Sequence, residues 1–157
     1  MTETFEGDLS AEGLSFGIVA AKWHERFADE LLSGAVGTLR SLGGESGEID
    51  VYRCPGSFEV PQVARRVVES TDPDAVVCLG VLVRGETPHF DYIAGEATSG
   101  IGRVGTEAAI PVTYGILTCE TMEQAMARSG SKQGNKGAEA ARAAVEMANL
   151  FREIEGE

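Results

Sequence analysis

Asp74-Ala-Val-Val-Cys-Leu-Gly-Val-Leu-Val83 is the stretch on which the fold turns. Its apolar residues run on without the alternation of a half-exposed strand, which is the pattern of a parallel sheet covered on both faces. Upstream, Phe16-Gly-Ile-Val-Ala-Ala21 is a second buried-strand run, and Ile49-Asp-Val-Tyr-Arg53 alternates as a strand does. Downstream, Ile110-Pro-Val-Thr-Tyr-Gly-Ile-Leu117 makes a fourth, with Pro111 near its start, where a missing N–H is tolerated. Helical spacing fills the gaps. Leu31, Leu32, Ala35, Val36 and Leu39 share one face of a helix over residues 27–42, which Gly43-Gly44 stops. Further helices are predicted over 60–68, with Pro61 in the first turn, and over 90–108, 121–127 and 135–154. Strands that alternate with helices imply right-handed crossovers and an α/β fold, a three-layer doubly wound sandwich around a four-stranded parallel sheet. No repeat or linker divides the 157 residues, so one domain over 1–157 is expected, with 1–14 flexible or loosely packed.

Composition narrows the class. Apolar residues make up 43% and charged residues 24%, the proportions of a globular chain, and no apolar run is long enough to cross a bilayer. The stretch from Met1 to Asp8 is acidic and polar, unlike a secretory signal, so the cytoplasm is the expected location and no membrane partner is expected. Cys54, Cys78 and Cys119 are far apart, and with only His24 and His89 beside them no metal site is expected. They read as buried thiols. A net charge of −12 argues against a nucleic-acid partner, because a phosphate backbone needs a basic face. Of the 13 cationic residues only Lys22, Lys132 and Lys136 are lysines. An acidic, lysine-poor surface fits either solubility in high salt or an ordinary acidic cytosolic protein.

In a doubly wound sheet, ligands sit beyond the carboxyl ends of the strands. The unusual residues of this chain fall there. In Val81-Leu-Val-Arg-Gly-Glu-Thr-Pro-His-Phe90 a strand runs into Gly85, and Thr87 and His89 stand just before a helix. Free N–H groups at a helix start suit an anion, and an imidazole there suits proton transfer. Thr87 as a helix cap and His89 as a surface residue account for the same letters. Arg128-Ser-Gly-Ser-Lys-Gln-Gly-Asn-Lys-Gly137 gathers Arg128, Lys132 and Lys136 among glycines, a setting for phosphate. A turn shaped by Asn135 and Gly137 and solvated by lysines is the alternative. Cys54-Pro-Gly-Ser-Phe-Glu-Val-Pro61 reads as a strand-to-helix turn with Ser57 as N-cap. Glu59 either favours the helix dipole or accepts from ligand hydroxyls. Trp23, the only tryptophan, follows the first strand and either stacks on a flat ring or packs.

Taken together, Pro55-Gly-Ser-Phe-Glu59, Arg84-Gly-Glu-Thr-Pro-His-Phe-Asp-Tyr92 and the run from Arg128 to Ala141, with Glu146-Met-Ala-Asn149 after it, resemble the lumazine synthase family. The similarity spans about Phe16 to Leu150. It implies a flavodoxin-like sandwich and an enzyme of riboflavin biosynthesis that needs no cofactor. Its substrates are 5-amino-6-(D-ribitylamino)uracil and 3,4-dihydroxy-2-butanone 4-phosphate, and its product is 6,7-dimethyl-8-ribityllumazine. By the same resemblance Trp23 stacks on the pyrimidine, and Ser57, Phe58 and Glu59 hold the uracil substrate, with Glu59 facing the ribityl chain. Val81, Leu82 and Val83 contact the pyrimidine, Glu86 and Thr87 bind the phosphate, and His89 transfers protons. Tyr114 and Arg128 come from a neighbouring subunit, Arg128 to the phosphate, and Lys136 lies near the same pocket.

Three letters depart from the family's usual pattern. Tyr114 stands for phenylalanine, His24 for asparagine and Cys119 for threonine, which puts affinity on the uracil side in doubt. The family forms pentamers, and some members close twelve of them into an icosahedral shell. The absence of an insertion in 128–135 favours that 60-subunit shell here. An archaeal-type riboflavin synthase on the same fold, a flavin-storage shell with little turnover and a flavodoxin-like ligand binder are the competing readings.

Overall fold

A computed structural model describes residues 1–130 and 134–157. Four strands, β1 (Phe16–Ala21), β2 (Ile49–Cys54), β3 (Ala75–Val83) and β4 (Val112–Cys119), form one all-parallel sheet in the order β2-β1-β3-β4. The helices are α1 (Glu25–Ser41), α2 (Val60–Thr71), α3 (His89–Glu107), α4 (Met122–Arg128) and α5 (Lys136–Glu155). The α/β doubly wound arrangement anticipated from the strand–helix alternation is the one observed.

Side chains alternate across the central strands and build two cores. Phe16, Ile18 and Ala20 of β1 face Leu31, Ala35 and Leu39 of α1 and Ala141, Ala144 and Val145 of α5. Val19 and Ala21 point the other way, to Val60 and Ala64 of α2 and Ile101 and Val104 of α3. Both faces of β3 are covered, which is why its run of apolar residues is unbroken.

Several boundaries differ from expectation: α1 starts at Glu25 and α2 runs on to Thr71. Pro111 stands outside β4, its carbonyl accepting the Val76 N–H at 2.9 Å, and the strand runs on through Cys119. Helix α3 starts one residue early, so His89 belongs to its first turn. In the N-terminal segment Ala11 and Leu14 are fully buried, and the Asn149 side chain donates to Asp8 and Ser10. The buried Ala11 and Leu14, with the Asn149 hydrogen bonds, seat it against the body of the domain.

Asn135 caps α5 by accepting the Ala138 N–H at 3.0 Å and donates to the Glu30 and Ser129 carbonyls. A Cβ on Gly137 would stand 2.1 Å from the Leu31 carbonyl oxygen, so α1 and α5 cross at a point only glycine permits. Asn135 and Gly137 thus fix where α5 starts and how closely it meets α1. Lys132 lies outside the described residues.

Candidate functional site

The strand order reverses between β1 and β3, and a cavity of about 220 Å³ opens at the carboxyl ends there. Trp23 and His24 line it from the end of β1, Ser57 and Phe58 from the end of β2, and Val81, Leu82 and Val83 from β3. Gly85, Thr87, His89, Phe90 and Ile93 complete the wall from the β3–α3 loop and α3. His24, Gly85, Phe90 and Ile93 are lining residues that the sequence reading did not assign. His24 and Phe90 flank assigned residues, a signal that adjacency alone could have supplied.

Local chemistry accounts for several placements. Trp23 is 64% exposed, and its ring lies over Gly56, where a Cβ would stand 2.4 Å from the ring. The glycine therefore permits the flat face to lean across the cavity mouth. His24 ends β1's loop in the left-handed region, φ 61°, as the N-cap of α1. That conformation favours asparagine and histidine over most residues.

Ser57 is not the helix cap that was anticipated. The chain takes a short 3-10 turn over Ser57–Glu59 before α2, and among the described residues no side chain caps α2. Ser57 Oγ is buried beside Gly80 and has no hydrogen-bond partner among the described residues. An unpaired buried hydroxyl at a cavity wall is costly unless a ligand or water answers it. Glu59 does satisfy the turn, its Oε1 accepting the Gly56 N–H at 3.0 Å. Glu86 sits exposed on the β3–α3 loop but is not part of the cavity wall. The Thr87 hydroxyl oxygen accepts the His89 N–H at 3.4 Å, which leaves the Thr87 O–H to donate elsewhere.

Tyr114, Arg128 and Lys136 are not brought to this cavity. They line a separate one of about 350 Å³ at the end of β4, with Ile116, Leu117, Thr118 and Glu139. The additional hydroxyl of Tyr114 is engaged within the chain, 3.0 Å from Thr98 Oγ1 on α3. Burial pushes the Cys119 thiol up, and the Arg128 guanidinium beside it draws it partly back. Arg84 links α3 to the turn after β4, bonded to Asp91 and to Glu120, and those carboxylates hold it further in its protonated form. Burial also pushes Cys54 up to about 11 and Cys78 up to about 12, leaving both as inert thiols. Among the described residues no cluster of three His, Cys, Asp or Glu side chains converges. No helix among them is long and apolar enough to cross a membrane.

Comparison with known proteins matches residues 13–152 to the family model described as 6,7-dimethyl-8-ribityllumazine synthase. A protein of that name from Anaeromyxobacter sp. (strain Fw109-5) is 54% identical over 95% of this chain and 91% of its own length. One from Chlorobaculum tepidum is 51% identical over 97% and 98%, and one from Clostridium kluyveri 47% over 98% and 99%. With the parallel sheet, the strand-end cavity and a match over nearly the whole length, the chain belongs to the 6,7-dimethyl-8-ribityllumazine synthase family, enzymes of riboflavin biosynthesis.

Proposed function

We propose that this chain, one domain over 1–157, condenses 5-amino-6-(D-ribitylamino)uracil with 3,4-dihydroxy-2-butanone 4-phosphate at the cavity between β1 and β3. The observation that carries the assignment is the convergence of Trp23, Ser57, Phe58, Thr87 and His89 on one cavity in a chain of this family. The pyrimidine stacks on Trp23 beside Val81, Leu82 and Val83. The lone Ser57 hydroxyl and Glu59 Oε2 meet the polar groups of the uracil substrate. The phosphate lies at the start of α3, between the loop of Glu86 and Thr87 and a guanidinium.

The C5 amine of the uracil attacks the ketone, and loss of water leaves an imine. Phosphate is then eliminated, and the ribitylamine nitrogen closes the second ring with loss of another water. Both substrates are reactive on their own, so the protein's contribution is placement and proton movement, the latter through His89. A fixed cation stabilises phosphate as it leaves.

That cation is Arg128 of a neighbouring copy. Within one chain Arg128 shares its cavity with Tyr114 and Lys136 and not with His89, which supports a site assembled between subunits of a ring. We infer a pentamer, and the uninterrupted segment 128–135 favours its closure into a 60-subunit shell in the cytoplasm.

Absorbance growth that needs both substrates supports the assignment. Flavin formed from lumazine alone would instead indicate a riboflavin synthase, and no turnover a storage shell. Coassembling His89→Ala with Arg128→Ala chains should regenerate intact sites and restore activity. Mixtures no more active than their parents would place both residues in one subunit's site. Sedimentation that shows only pentamers or decamers would remove the shell.

A further inference from the structure

Arg84 has no part in the chemistry above, yet its side chain is held on three sides. Its Nε donates to Glu120 at 2.7 Å, and its terminal nitrogens donate to the two Asp91 oxygens at 3.0 and 3.3 Å. The guanidinium carbon lies 4.5 Å from the centre of the Phe90 ring. Arg84's own N–H donates to the Cys119 carbonyl at 2.8 Å. Asp91 belongs to the first turn of α3, two residues beyond His89, and Glu120 stands just ahead of α4, the helix that ends at Arg128. Gln124 of α4 closes the network by accepting the Glu120 N–H at 2.8 Å. Arg84 itself does not line the cavity.

We propose that Arg84 is a positioning residue: its fork locks the first turn of α3 to the β4–α4 turn, aligns His89 and Phe90 for the reaction, and touches neither substrate. The assignment rests on the activity proposed above. A single exposed ion pair contributes little to stability. A planar fork bonded in three directions and stacked on a ring fixes an orientation, however, which a lysine's point charge does not.

The experiment is steady-state kinetics on full-length Arg84→Met, Arg84→Lys and Glu120→Gln, and on the Asp91→Asn/Glu120→Gln pair with and without Arg84→Met. Misplacing a catalytic group by about 1 Å costs up to roughly 10²-fold, so partial loosening in Arg84→Met should lower kcat about 10-fold. Arg84→Lys should fall nearly as far, with KM for the butanone phosphate changed by less than about 2-fold. Arg84→Met should add little once both carboxylates are gone. Glu120→Gln alters only an exposed side chain and should keep the assembly while losing part of kcat. A raised KM for the phosphate substrate that lysine rescues would make Arg84 a phosphate ligand and overturn the proposal. So would an unchanged kcat, or effects that multiply in the combined variant. A wild-type chain that forms no lumazine rejects the activity, and the positioning role with it.

Discussion

At the scale of single residues, the proposed site divides into groups that bind and one that moves a proton. Arg128→Ala should weaken the butanone phosphate by about 1.5–3 kcal/mol, the range for a charged hydrogen bond, read as KM or as competition by inorganic phosphate. An unchanged affinity would mean that the phosphate sits elsewhere. His89→Ala should slow turnover by at most ~10²-fold, because the substrates react unaided; full activity would reject His89 as the proton carrier. The buried thiols give a pH dependence of known sign. Cys54 and Cys78 hold their protons more tightly folded than unfolded, so their contribution is whole below pH 9.0 and is lost as pH rises toward about 11 and about 12. Melting temperature should therefore fall above that point less steeply in Cys78→Ala than in wild type. Parallel curves would clear the thiol of that role.

At the scale of elements, α5 carries much of the architecture through small residues. Its alanines and Gly137 let it lie against α1 and the sheet, and Asn135 fixes where it starts. Gly137→Ala should cost about 1–3 kcal/mol by forcing a methyl into the Leu31 carbonyl, measured by urea denaturation of the assembled protein. A loss no larger than that of an exposed alanine substitution would mean the helices separate freely. The same element shows how far the letters can be read. Residues 128–137 left two explanations open, a cation cluster for phosphate or a turn shaped by Asn135 and Gly137, and the contact with α1 accounts for those two residues alone. Ser57 shows the opposite failure: a serine ahead of a helix usually caps it, but the 3-10 turn carries its hydroxyl inward, so tertiary packing overrode a local rule.

At the scale of the whole molecule, charge and assembly are linked. A net charge of −12 on a chain proposed to pack in rings concentrates repulsion between copies, and salt screens it. If the acidic, lysine-poor composition serves a saline setting, melting temperature should rise steeply with added KCl and the protein should unfold at low ionic strength. Indifference to salt would mark an ordinary acidic protein. Arg84 adds a second link at this scale, since it joins the turn bearing His89 to the helix bearing Arg128, which the proposed ring sends to two different sites.

Unaided, the letters determined the alternation of strands and helices and the strand ends at which chemistry would gather. Those features depend on periods of about two and 3.6 residues within single segments. Identity was equally plain in three short motifs. Tertiary structure alone decided that His89 and Arg128 line different cavities of one chain, that Ser57 Oγ has no partner among the described residues, and that Arg84 reaches Glu120 across 36 positions of sequence. Each of these depends on how the sheet orders its strands, and distant segments meet only once the two cores have closed over it.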